Sequence, residues 1–254
     1  MYLKKNILIL GLIALFFSAC ATDSRFIENP SPPPPDLGIS SKDRFIQVTL
    51  NYLIIPNGPG SWVKDARWDE YYITVRNLSK EPVSVERIQL IDPRGVYITS
   101  GVNPYQLEKV SEALMKHYKD MGISVAISVA PAVLGGAAVA AGAYGTAAGL
   151  MILAPVAAIA APAYVLGKQY SYQKEREEIE REFTRRNLGS FTISGNSTVE
   201  GSVFYPIIPN PRAIVVTYRI GAKVKTLEVS LKKLKGLHVA PEGKEEKKTG
   251  KNNS

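Results

Sequence analysis

Cysteine occurs once, at position 20, and histidine only twice, at 117 and 238. One cysteine excludes a disulfide framework and a thiolate metal site within the chain, and two separated histidines leave no multi-histidine site. There is no Gly-x-Ser-x-Gly elbow, and the glycines do not follow a strand in a phosphate-binding arrangement, so serine-hydrolase and nucleotide-loop chemistry both lack their residues. Carboxylates are scattered or lie on the helical face at 177–182, which reads as solvated surface. The chain is therefore expected to carry no catalytic residue, no metal ligand and no cofactor. Charge is also missing from one long run: residues 121–167 contain no Asp, Glu, Lys or Arg.

That run is rich in Ala and Gly and is broken near its middle by Gly142-Ala143-Tyr144-Gly145. Two bilayer-crossing helices need about 20 apolar residues each, which the run supplies. Lys116, Lys119 and Lys168 flank it, with Tyr118, Tyr164, Tyr170 and Tyr172 where an interfacial belt would sit. Its small residues suit helix contacts: Gly145 and Gly149 form a small-xxx-small pair, and Gly135, Gly136 and Gly142 lie on the other arm. The expectation is a long antiparallel helical hairpin that enters a membrane or packs in a homo-oligomer. Its first arm starts at Asn103-Pro104-Tyr105-Gln106, an N-cap followed by Pro at the first helical position. Leu107, Val110, Leu114 and Tyr118 then make an amphipathic stem running straight into the apolar part. The second arm returns through the charged stretch 172–186, with Ile179 and Phe183 as its apolar stripe and Asn187-Leu188-Gly189 as its stop.

At the N-terminus, Lys4 and Lys5 precede an apolar stretch over 7–17 that ends in Phe17-Ser18-Ala19-Cys20. The stretch is too short to span and is suited to a cleaved signal. It resembles a bacterial lipoprotein signal peptide, with Ser18, Ala19 and Cys20 matching the lipobox; Phe17 stands where Leu is usual. The resemblance implies thioether lipidation and acylation of Cys20, and Ala21 after it implies the periplasmic face of the outer membrane. Residues 29–36 follow as Asn-Pro-Ser-Pro-Pro-Pro-Pro-Asp, expected to be a stiff spacer between lipid and folded part.

Elsewhere the hydropathy alternates with period two. Phe45 to Leu50, Tyr71-Ile73-Val75, Val83-Val85 shifting phase to Ile88-Leu90, Phe191-Ile193, Val199 to Tyr205, Ile214 to Tyr218 and Leu227-Val229-Leu231 predict seven or eight short strands, with a bulge at Glu86-Arg87. Asn77-Leu78-Ser79 after an early strand, Asp92-Pro93-Arg94-Gly95 after the next and Gly201 to Pro206 late in the chain are similar to immunoglobulin-like domains of exported lipoproteins. That resemblance implies a mainly β fold, an immunoglobulin-like sandwich interrupted by the hairpin. The expected layout is signal peptide 1–19, lipidated linker 20–42, β domain 43–102 and 189–235, helical insertion 103–188 with its apolar part at 121–167, and a basic tail 236–254.

The formal charge of +8 becomes +6 without Lys4 and Lys5, and much of the excess lies in the tail. An exported address leaves anionic lipid or an acidic protein, rather than nucleic acid, as its partner. His117 and His238 are expected to be exposed bystanders. Trp62 and Trp68, the only tryptophans, sit with Arg67 and Tyr71 in a combination that binding hot spots use, and make the candidate partner surface. The expected function is a non-catalytic, outer-membrane-anchored structural or adaptor component of an envelope assembly, the alternative being a pore or membrane-remodelling protein.

Overall fold

The computed structural model describes residues 24–127, 129–134 and 161–240. Among them the alternating segments form nine strands: β1 (Ile39–Lys42), β2 (Ile46–Ile54), β3 (Trp68–Asn77), β4 (Val83–Ile91), β5 (Tyr97–Thr99), β6 (Phe191–Ile193), β7 (Thr198–Pro206), β8 (Ala213–Ile220) and β9 (Lys223–Ser230). The fold is mainly β. One antiparallel sheet runs β1-β2-β3-β7; the other runs β5-β4-β8-β9, with β6 also on β4.

Period-two patterning decides which residues meet. Ile46, Val48 and Leu50 of β2, Tyr71, Ile73 and Val75 of β3, Val83, Val85 and Leu90 of β4, and Ile214, Val216 and Tyr218 of β8 all enter one core shared by the two sheets. Each such side chain, fully buried, contributes about 1.5–3 kcal/mol. The expected phase shift in β4 is a bulge: pairing with β8 slips between Val85 and Arg87, which restores Ile88 and Leu90 to the core face. The Asp92-Pro93-Arg94-Gly95 turn closes through Gly95 N–H to Asp92 O at 3.0 Å, with Gly95 at φ 89°, where a side chain would be strained.

Strands β5 and β6 share the same edge of β4. Thr99 lies opposite Gln89, and Phe191 opposite Val85, both antiparallel to β4. They read as one edge strand that the chain leaves after Thr99 and rejoins at Phe191, so the segment between is an insertion into a β domain.

Within the insertion, α1 (Pro104–Asp120) begins as expected: Asn103 accepts from the backbone N–H groups of Tyr105 and Gln106. It ends differently. The stem was expected to continue into the apolar run, but Gly122 N–H donates to Lys119 O and Ile123 N–H to Tyr118 O, both at 2.9 Å, with Gly122 at φ 78°. That pair of bonds is a Schellman stop. The chain then turns back along the β domain: Val125 bridges Val239, and Leu134, in a short 3-10 turn (Ala132–Leu134), joins the core. Residues 121–127 and 129–134 of the charge-free run thus belong to the domain. Val110, expected on the buried stripe, is exposed, and Ser111 is buried instead.

Helix α2 (Ala161–Arg186) stops at the expected Asn187. Ile179 and Phe183 are fully buried, as their spacing predicts. Both helices cover one end of the outer face of the first sheet rather than standing off an edge of the domain. No helix among the described residues is long and apolar enough to cross a membrane. The expected hairpin tip and Gly135, Gly136, Gly142, Gly145 and Gly149 lie outside the described residues, as do Cys20, the signal peptide and the tail from 241 onward.

Candidate functional site

Three of the four residues expected to meet a partner are inside. Trp62 is 3% exposed, Trp68 4% and Tyr71 fully buried; only Arg67 reaches solvent, where it pairs with Glu112 of α1 at 2.8 Å. The tryptophans seat the helices. Trp68 meets Phe183 edge-on at 5.9 Å between centroids, Phe183 stacks on Phe204 of β7 at 4.0 Å, and Trp62 lies 6.2 Å from Trp68. Below them Glu70, on the outward face of β3, accepts from Trp62 Nε1–H at 2.7 Å, from Arg186 at 3.2 Å and from the Ser202 hydroxyl. A cavity of about 10 Å³ beside Trp62 and Glu70 has room for one water. The combination of aromatics and arginine was legible; that α2, more than a hundred residues downstream, covers it was not.

What does dock on Trp62 is the chain's own N-terminal segment. Ile27 N–H donates to Trp62 O at 2.9 Å, Lys64 N–H to Arg25 O at 2.7 Å, and Phe26 meets the Trp62 ring edge-on at 6.4 Å. Arg25 joins both helices: its backbone N–H donates to Glu175 of α2 at 2.8 Å, and its guanidinium to Glu108 of α1 at 2.5 Å and to the carbonyls of Lys64 and Asp65. Burial would lower the Arg25 pKa, but the Glu108 bond and charge outweigh it and raise it. Further on, Pro34 and Leu37 are buried, and β1, expected within the linker, pairs with β2. The Pro-rich stretch is therefore a strap fastened to the domain, and not the free spacer its composition suggests. Extended backbone needs no ladder to lie flat, and apolar side chains at 26, 34 and 37 give it places to attach.

His238, expected to be an exposed residue of the basic tail, is fully buried. Its Nε2 lies 2.9 and 3.0 Å from the two oxygens of Asp69, itself 1% exposed, and its Nδ1 is 3.3 Å from Ala126 O. A carbonyl can only accept, so Nδ1 carries a proton; a second proton lies between Nε2 and the Asp69 carboxylate, whose own pKa burial raises. Burial alone would strip the imidazolium, but the Asp69 charge and hydrogen bond, helped by the backbone at Ala126 and Ile127, raise the His238 pKa. His238 is also held at φ 55°, uncommon for this residue, by its N–H to Val129 O and by Ala126 N–H to its own carbonyl. With Ala240 N–H donating to Ser124 O at 3.0 Å, four hydrogen bonds stitch 236–240 to 124–127 and 129–130. An Asp–His pair can orient a catalytic base, but this one is sealed from solvent on all sides, and its work is to hold two chain segments together.

His117 is exposed on α1 and accepts from Arg94. Among the described residues no group of three or more His, Cys, Asp or Glu side chains is placed to hold a metal. No family model, curated protein or solved structure matched the chain.

Proposed function

We propose that this chain is an exported lipoprotein, held through Cys20 at the periplasmic face of the outer membrane, with a non-catalytic structural or adaptor role in an envelope assembly. The observation that carries it is the sequence Lys4-Lys5, an apolar stretch and Ser18-Ala19-Cys20, placed just before Arg25, where the chain becomes fastened to the domain. For the β domain we propose the immunoglobulin-like class. Strand order supports it: β2, β3 and β7 lie side by side as strands A, B and E do, and β5, β4, β8 and β9 as C′, C, F and G. The sole cysteine being Cys20, the inter-sheet disulfide of antibody domains has no counterpart.

The adaptor reading is favoured over a pore of two-span hairpins by length. With 121–127 and 129–134 folded back on the domain, the rest of the charge-free run, 135–167, is short of the about 40 residues that two spans require.

Mass spectrometry of the mature chain tests the address: a diacylglyceryl thioether and an amide-linked acyl chain on Cys20 are expected, and Cys20→Ala exported behind an ordinary signal should leave the membrane in carbonate. An unmodified, uncleaved Cys20 would overturn the lipoprotein reading. Retention of the Cys20→Ala form, with a fragment containing 135–167 shielded from protease, would turn the assignment toward a membrane-inserted device.

A further inference from the structure

We infer that the exposed face of α1 lies against the membrane that holds the N-terminus, with Lys109, Lys116 and Lys119 toward anionic lipid head groups. The inference rests on the lipoprotein reading and deepens it by fixing which face of the domain meets lipid.

Tether length carries the argument. Had the Pro-rich stretch been free, the domain could have stood off the bilayer on a semi-rigid spacer in any orientation. Instead the chain is fastened from Arg25 on, by backbone pairing to 62–64, by Phe26 on Trp62 and by Arg25 to Glu108 and Glu175. Four residues separate Cys20 from Arg25, and the five steps between the two span about 17 Å at full extension. The lipid-bearing residue therefore stays within that distance of the point where Arg25 meets both helices. Glu108 belongs to α1, so the membrane surface can lie no farther from this end of the domain than that short leash allows.

Of the two helices at the leash, α1 has the complementary face. Lys109, Ala113, Lys116 and Lys119 recur at three-to-four spacing and are all exposed, with exposed Val110 beside them. Two carboxylates border that stripe, Glu112, which is tied to Arg67 at 2.8 Å, and exposed Asp120 at the helix end, so its lysines outnumber them three to two. Exposed α2 near the leash alternates sign, with Lys174 and Arg176 set against Glu177 and Glu178, and Lys174 and Arg176 have helix partners in Glu178 and Glu180. Juxtamembrane lysines are drawn to anionic head groups within about a Debye length, roughly 8 Å at physiological salt. A leash of this length holds the stripe where that attraction acts.

Lipidation of Cys20 leaves the chain without a free thiol, so one introduced cysteine is labelled alone. The lipidated full-length protein carrying Ala113→Cys or, as a comparison, Val224→Cys is reconstituted in vesicles of phosphatidylethanolamine and phosphatidylglycerol that contain a head-group quencher. Val224 is exposed at the start of β9, about 20 Å along the strands from the helix-covered end. Several-fold stronger quenching at 113 than at 224 is expected, falling when Lys109, Lys116 and Lys119 are all changed to Gln. Equal quenching at the two positions in protein that floats with the vesicles and carries lipid on Cys20 overturns the orientation while leaving the lipoprotein reading intact. A chain that carries no lipid and does not float overturns both. Strong quenching at 113 that persists in the triple Gln variant keeps the leash and removes the head-group attraction.

Discussion

Strand β3 carries a buried polar side chain near each end, Asp69 at one and Asn77 at the other, eight residues and about 26 Å apart on the same face. At the far end Asn77 is neutral and fully occupied. Its Nδ2 donates to the carbonyls of Glu81, Ile193 and Ser194 at 2.7–3.1 Å, and its Oδ1 accepts from the Ser79 backbone and hydroxyl. One amide thus ties the turn after β3 to the end of β6. At the end covered by the helices the same task, joining segments distant in sequence, falls to a charged pair. A neutral knot costs little to bury and does not respond to pH; a charged one is expensive to break and does. The contrast matters because the charged knot holds the start of the apolar run, at 124–127 and 129–130, while the neutral one closes an ordinary turn.

The largest expected effect follows from breaking the charged knot on one side. His238→Ala leaves the Asp69 carboxylate buried without its imidazole partner, which should cost about 3–5 kcal/mol, read from chemical denaturation of the domain. The pair also sets a pH dependence. In the fold His238 holds its proton more tightly than the ordinary value of 6.5. The stabilisation is therefore complete below about pH 6.5 and is lost as pH rises through the folded-state pKa, because there the unfolded chain has already released the proton and the folded one has not. Thermal midpoints across the neutral to alkaline range should fall for the wild type and fall less for His238→Gln. A flat wild-type profile would mean that the pair is held neutral.

Asn77→Ala at the other end should cost less, about 1–3 kcal/mol, because it strands carbonyls rather than a charge. Its loss should be the same at pH 6 and pH 8, and a pH-dependent loss would erase the distinction between the two ends.

How much of this was legible follows the range of the interactions. The strands, the β4 bulge, the Asp92 turn and both helix caps at Asn103 and Asn187 are local signals and were readable. The stop at Gly122 was equally local: a glycine just past His117 and Lys119 is an ordinary C-terminal signature, but the apolar residues beyond it read as continuation. The covering of Trp62 and Trp68 by Phe183, the strap's attachment through Phe26 and Arg25, and the burial of His238 against Asp69, 169 residues away, join segments that no window of sequence contains. His238 was misplaced because its neighbourhood is basic and sparse in apolar residues, although Leu231, Leu234 and Leu237 just before it recur at three-residue spacing and are all buried.

The smallest expected effect has the opposite sign and lies at the charged end. Tyr205 and Tyr71 meet edge-on at 5.4 Å in the core near Asp69, and neither hydroxyl has a hydrogen-bond partner among the described residues. Burial pushes both phenols well above their usual pKa, so both stay neutral at any pH the fold survives. An unpartnered buried hydroxyl is a desolvation cost without return, whereas every polar atom of Asn77 is used. Tyr205→Phe removes the hydroxyl, keeps the ring contact and should stabilise the domain by about 1 kcal/mol, measurable as a shift in denaturation midpoint with unchanged slope. A destabilisation instead would place a bridging water between the two tyrosines and the Asp69 side of the core, making the charged knot larger than the Asp69–His238 pair alone.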